Sequence, residues 1–210
     1  MDKDIKLPGT AVILAGGANS RMGTHKAFVE VGGVPIIVRV IRALSPVFSE
    51  TVIVADDPER FIGLGAAVVT DDPGFSQMRG PLTGLYTGLS AAGFPLCFAV
   101  ACDMPFIHPP LVRWMAGEAE GYDAVVPVVG GYAEPLFAFY AKPLAEVFRQ
   151  ALERGQRSVQ AAYGGLRIRF LDEAEIRAQD PALLSFTNIN TPEELSGARA
   201  LAGRIDAAQQ

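Results

Sequence analysis

The residues best suited to chemistry begin with a run near the start of the chain, Leu14-Ala15-Gly16-Gly17-Ala18-Asn19-Ser20-Arg21-Met22-Gly23-Thr24-His25-Lys26. An apolar stretch ends at Leu14, and a loop with three glycines and the cations Arg21 and Lys26 follows. Glycines let backbone N–H groups close on phosphate oxygens and form an anion nest. Arg21 adds a fork that can grip phosphate bidentately, and Lys26 adds a mobile point charge. The spacing matches neither common phosphate loop. Gly16 and Gly17 are adjacent, where a dinucleotide fingerprint needs Gly-x-Gly-x-x-Gly, and Gly23 is followed by Thr24-His25, where a Walker loop needs Gly-Lys-Ser/Thr. A glycine pair alone would read as a surface turn. With Arg21, Gly23 and Lys26 directly after a buried strand, phosphate binding outweighs that reading.

Other candidates recur after apolar runs. Asp103, in Cys102-Asp103-Met104-Pro105, follows the stretch Leu96 to Ala101. A carboxylate at a strand's carboxyl end, in the crevice where open parallel sheets bind ligands, suits Mg²⁺, which takes one or two carboxylates plus water and phosphate oxygens. The competing reading is an Asp capping the turn before Pro105. Gly80-Pro81-Leu82-Thr83-Gly84-Leu85 opens a helix whose N-terminal backbone edge could meet a base or a phosphate. Just upstream, Asp71 could accept from the N1–H and N2–H₂ donors of guanine, or stand as a solvated loop acid. Asn188 and Asn190 alternate, so in an extended segment they point the same way, toward a metal shell; the local pattern reads more readily as a turn. His25 reads as solvated, and His108 has no partner that spacing reveals. Arg79 and Arg157 could grip an acceptor's phosphate, although surface arginines are ordinarily solvated. No Ser/His/Asp or Cys/His arrangement is visible, so no covalent nucleophile is expected.

The elements that must position these residues are legible from periodicity. Thr10 to Leu14, Thr51 to Ala55, Ala66 to Thr70, Phe98 to Ala101 and Ala124 to Val128 are continuous apolar runs, the mark of strands buried on both faces of a mostly parallel sheet. Pro127 sits awkwardly for a central strand. Helices are expected over Pro35 to Leu44, with Pro35 in the first turn, over Pro81 to Ala92, over Pro110 to Ala119 and over Lys142 to Arg154. Gly130-Gly131 followed by Pro135 to Tyr140 reads as a turn and a returning, antiparallel strand. Thr191, Pro192 and Glu194 form a capping box that opens a last helix. The expectation is one α/β domain over 1–210, three-layered, with a mostly parallel sheet, helices on both faces and a late antiparallel strand. Residues 1–8 and 206–210 are expected to fray.

Composition narrows the function classes. The chain has 210 residues, half of them apolar, and a net charge of −5. Disorder, collagen and coiled coil are excluded, and the acidic balance argues against a nucleic-acid binder. The run Ala11 to Ala15 is too short for a signal peptide, and the longest apolar stretch, near Phe94 to Cys102, is too short to span a bilayer and contains Pro95. A cytoplasmic protein without membrane contact is expected. Cys97 and Cys102 are five apart in one strand, hence on opposite faces, and read as buried thiols.

The combination Leu14-Ala15-Gly16-Gly17-x-x-x-Arg21-Met22-Gly23-x-x-Lys26, Gly80-Pro81-Leu82-x-Gly84-Leu85, Asp103-x-Pro105, Pro135-Leu136 and Asn188-Ile189-Asn190-Thr191-Pro192-Glu193-Glu194-Leu195 resembles nucleotidyltransferases of the molybdenum cofactor guanylyltransferase family, over nearly the whole chain. The resemblance implies transfer of GMP from GTP to molybdenum-loaded molybdopterin, giving molybdopterin guanine dinucleotide and pyrophosphate with Mg²⁺ as cofactor. It implies nucleotide contacts from Leu14, Ala15, Gly16, Gly17, Gly23, Gly80, Pro81 and Leu82, phosphate contacts from Arg21 and Lys26, a guanine contact from Asp71, and the metal on Asp103. Asn188 and Asn190 would fall near the metal or the acceptor. Transient contact with molybdenum-insertion and molybdoenzyme-maturation proteins is implied by a labile cofactor. Two positions depart from the pattern: His25 stands where an Asp commonly precedes the lysine, and Ala55 where some relatives have Asn. The remaining alternatives are a nucleotidyltransferase using CTP or another phosphorylated acceptor, and a non-catalytic nucleotide- or cofactor-binding protein.

Overall fold

The computed structural model describes residues 5–16 and 25–208. The first apolar run forms β1 (Leu7–Leu14). Gly32 and Gly33, at φ 61° and 70°, close a small hairpin of β2 (Glu30–Val31) and β3 (Val34–Pro35), the conformation that favours a glycine pair in a two-residue turn. Strands and helices then alternate: α1 (Ile36–Leu44), β4 (Phe48–Val54), β5 (Ala67–Val69), α2 (Pro81–Ala91), β6 (Leu96–Ala101) and α3 (Pro109–Gly117). A meander follows, made of β7 (Ala124–Val129), β8 (Tyr132–Ala133) and β9 (Phe137–Ala141). The chain closes with α4 (Leu144–Glu153), β10 (Ile168–Leu171), α5 (Glu173–Gln179) and α6 (Pro192–Ala208).

The main sheet runs β10-β7-β9-β6-β1-β4-β5, with β8 paired to β7. Parallel pairs join β1 to β4 and β6, β4 to β5, and β7 to β10. On this path β9 alone runs antiparallel, to both β6 and β7. This is the expected mostly parallel sheet with one late antiparallel strand. Alternation along β1 splits the interior in two. Ala11 and Ile13 face a core shared with α1, α3, α5 and α6, while Val12 and Leu14 face one shared with α2 and α4. Helices therefore cover both faces. Helix α2 comes unusually close, because a Cβ on Gly88 would stand 2.2 Å from Val12 Cγ1.

Several expectations need correction. Pro35 pairs with Glu30 in the hairpin and precedes α1 rather than occupying its first turn. β5 is an edge strand and half-exposed, although its apolar run resembles a central one. Pro127 is accommodated because pairing of β7 with β9 ends at Val125, and its carbonyl accepts from Glu134 N at 2.8 Å. At the ends, β1 already begins at Leu7, and α6 continues to Ala208. Among the described residues no helix is long and apolar enough to cross a membrane.

Candidate active site

The carboxyl ends of the central strands converge. Past the strand ends, Ala15 N donates to Val54 O (2.8 Å), Cys102 N to Leu14 O (3.0 Å), and Ala101 N to Leu136 O (3.0 Å). These bonds hold the loops after β1, β4 and β6, and the entry to β9, around one crevice. It divides into two cavities. The first, ≈ 560 Å³, is lined by Gly16, Lys26, Asp56, Asp71 and Gly80 among others. The second, ≈ 410 Å³, is lined by Glu134, Arg157, Ser158, Asn188 and Asn190. Asp103 lines both, with Pro81, Ala101 and Leu136.

At that junction Lys26 Nζ lies 2.5 Å from Asp103 Oδ2 and donates to Asn190 Oδ1 at 2.6 Å. The segment carrying Asn190 is held firmly. Ile189 is fully buried and its N–H donates to Asp103 O (3.1 Å), so the residues on either side, Asn188 and Asn190, both line the second cavity. The extended alternative thus replaces the local turn. The capping box stands as expected, with Glu194 N donating to Thr191 Oγ1 (3.1 Å) and Thr191 N to Glu194 Oε2 (2.9 Å). Asp103 Oδ1 is buried without a hydrogen-bond partner among the described residues. A buried, orphaned carboxylate oxygen, at a cavity that Asn188 and Asn190 also line, is a hard donor of the type that Mg²⁺ prefers. No cluster of three or more His, Cys, Asp or Glu able to hold a metal occurs among the described residues.

The other predicted positions distribute as follows. Leu14, Ala15, Gly16, Lys26, Asp71, Gly80 and Pro81 line the first cavity. Leu82 lines neither cavity; its side chain is buried in the core beneath α2. Gly80 adopts φ 154° and ψ −175°, a region essentially restricted to glycine. Burial raises the Asp71 carboxyl above its ordinary value, and the Thr87 hydroxyl, donating at 3.0 Å, opposes that rise. Gly17, Arg21 and Gly23 lie outside the described residues.

His25 is a correction. Its ring packs edge-on against Phe28 and Phe61, with centroids 5.8 and 5.6 Å away, and burial, aided by the charge of Arg60, lowers its pKa. Arg79 and Arg157, paired in the sequence reading, are separated: Arg79 lines the first cavity and Arg157 the second. Asp56 and Glu134 were missed. Asp56 ends the apolar run of β4 as Asp103 ends that of β6, so the same signal could have found it. Glu134 offers no such signal; burial, then the charge of Asp103, raises its pKa. Burial pushes the Cys97 and Cys102 thiols up to about 12, and the two lie in different cores as expected.

The model of the MobA-like NTP transferase domain matches residues 11–167. A probable molybdenum cofactor guanylyltransferase of Pelotomaculum thermopropionicum is 40% identical over 196 residues, covering 93% of this chain and 94% of its own. The chain belongs to the MobA-like NTP transferase family. Within that family, a molybdenum cofactor guanylyltransferase of Desulfosudis oleivorans is also 40% identical, over 93% of this chain and 98% of its own. The crystal structure of molybdopterin-guanine dinucleotide biosynthesis protein A from Archaeoglobus fulgidus superposes with a TM-score of 0.79 at 30% identity, covering 93% of this chain and 99% of that one. The 2-C-methyl-D-erythritol 4-phosphate cytidylyltransferase of Thermus thermophilus, at 21% identity and a TM-score of 0.67 over 92% and 98% of the two chains, shares the fold. The MobA-like match spans the glycine loop, Asp103 and Arg157, and ends before Asn188 and Asn190.

Proposed function

We propose that this chain transfers GMP from GTP to the phosphate of molybdenum-loaded molybdopterin, forming the guanine dinucleotide cofactor and releasing pyrophosphate. The observation that carries the reading is Asp103, standing at the junction of two cavities with Lys26 bonded to it. One cavity suits the nucleotide and the other the acceptor, so the bond between them forms where the carboxylate and the ammonium meet. The named activities of the relatives at 40% identity support GTP and molybdopterin as the pair.

Asp103 Oδ1, with Asn190 or Asn188 oxygens, would hold Mg²⁺, which when bound supplies charge neutralisation to the phosphates. Lys26 would leave Asp103 for the triphosphate, and Arg21 would grip it from the glycine loop, neutralising charge on the α-phosphorus and the leaving pyrophosphate. An oxygen of the acceptor phosphate attacks the α-phosphorus as the α–β phosphoanhydride bond breaks. That oxygen is already anionic and needs little general-base help. Positioning of the acceptor by Arg157, and by whichever of Asn188 and Asn190 does not hold the metal, would supply much of the acceleration.

The test is pyrophosphate release by the purified protein with Mg²⁺ and molybdenum-loaded molybdopterin, offering GTP and CTP in parallel. Release with GTP alone, and only with acceptor present, is expected. Release with CTP would overturn the base assignment and keep the chemistry. Tight GTP binding without release would turn the reading to a different acceptor or to a non-catalytic role.

A further inference from the structure

The first cavity has two chemically different ends. Lys26 beside Asp103 marks one, suited to phosphate. At the other, Asp56 comes from the loop after β4, while Asp71 and Arg79 both come from the segment between β5 and α2. Arg79 Nη1 lies 3.5 Å from Asp56 Oδ2, across the cleft, and the charges of both act on Asp71. The Asp56 carboxylate stands beside the glycine loop, 3.9 Å from where a Cβ on Gly16 would be. Among the described residues, two carboxylates and one guanidinium line this end, polar groups that suit the edges of a base. The Arg79 side chain is 69% exposed. Its ion pair therefore contributes little to the fold and can be shared with a ligand.

We propose that Arg79, aligned by Asp56, reads the O6/N7 edge of guanine, beside the N1–H and N2–H₂ donors that the family resemblance already gives to Asp71. This rests on the GTP reading above and names the residues that would select the base. The chemistry is complementary on both edges. A guanidinium has donors only, in a fork that spans the adjacent acceptors O6 and N7. A carboxylate has acceptors only, and guanine alone among the common bases offers it two neighbouring donors while offering the arginine two neighbouring acceptors. Adenine would set its amino group against the arginine and a ring acceptor against the carboxylate, a mismatch at both edges. Cytosine is too short to meet both groups together. Asp56 is here a positioning residue, since it holds the plane of the guanidinium and need not touch the base.

Equilibrium binding of the magnesium complexes of GTP, 7-deaza-GTP and CTP to the full chain tests this without any transfer step. The unaltered protein should bind GTP roughly tenfold tighter than 7-deaza-GTP, which lacks the N7 acceptor. Arg79→Ala, with an unchanged thermal melt, should weaken GTP and abolish that ratio while leaving CTP affinity unchanged. Arg79→Lys keeps the charge without the fork and should also abolish the ratio. Asp56→Asn should reduce the ratio, again without an effect on CTP. If Arg79→Ala weakens all three nucleotides in parallel, Arg79 is a phosphate contact and the proposal fails. A preference for GTP over CTP with no discrimination against 7-deaza-GTP overturns the role of Arg79 and leaves the GTP reading standing. CTP bound as tightly as GTP overturns the GTP reading, and this proposal with it.

Discussion

Lys26 bridges Asp103 and Asn190, which lie 77 and 164 residues further along the chain. As a partly exposed ion pair, Lys26–Asp103 is worth about 1 kcal/mol at most to the fold. In the reaction the same ammonium would offset charge that develops on phosphate, where loss of one preorganised donor typically costs about 10²–10³ in turnover. Lys26→Ala should therefore lower kcat by that order while the melting temperature barely moves, and Arg21→Ala should behave alike. Near-normal turnover in both would remove the roles assigned to them. His25, one residue earlier, makes a pH prediction. Folding lowers its pKa from the ordinary 6.5, chiefly by burial, so the unfolded chain binds the extra proton more readily. Stability from this group is complete above pH 6.5 and falls as the pH drops below it. Urea midpoints compared at pH 7.5 and about pH 5.5 should show the fall in the native sequence and a smaller one in His25→Gln. Equal falls in both would place the dependence elsewhere.

The elements that position the site were legible where the pattern is local. β1, β4 and β6 are continuous apolar runs, and their order with α1 and α2 follows from periodicity alone. Gly16 and Asp103, which line the first cavity, were legible for the same reason, since each closely follows such a run. What was missed depends on contacts between distant segments. The aromatic wall around His25 includes Phe61, from another loop. The partner of Lys26 at Asn190 is 164 residues away. β10, Ile168-Arg169-Phe170-Leu171, is a short alternating strand whose place is set by pairing to β7, and the Asp172–Glu175 capping box that starts α5 was overlooked. A prediction belongs to α2. Its Gly88 admits the helix against Val12, and Ala there gains about 1 kcal/mol of helix propensity. The added methyl, at 2.2 Å from the fully buried Val12 side chain and 3.3 Å from Val54 Cγ2, forces a shift that costs about 1–3 kcal/mol. Gly88→Ala should thus lower the urea midpoint. A higher midpoint would mean that α2 can lift from the sheet without loss.

At the scale of the molecule, one sheet separates two cores, and the site lies where the strands that divide them end. The cores cannot loosen independently, because each strand of the sheet contributes alternate side chains to both. Along β1, Ala11 and Ile13 belong to one core and Val12 and Leu14 to the other. The two cysteines report on this separately. Cys97 lies in the core under α2 and α4, Cys102 in the core under α1 and α3, and burial pushes both thiols up to about 12, so neither should react in the native state near pH 8. Through a urea titration, the single-cysteine variants Cys97→Ala and Cys102→Ala, each normalised to its own melt, should expose the remaining thiol at the same midpoint as the loss of helical signal. If Cys97 became reactive well before Cys102, the face carrying α2 would open as a unit of its own. Gly80 and Pro81 start α2 and line the nucleotide cavity, so that opening would dismantle the base-reading end while leaving the opposite face folded. Bound GTP should then delay exposure of Cys97 more than that of Cys102; coincident midpoints require both to shift together, by the amount that the ligand stabilises the whole fold.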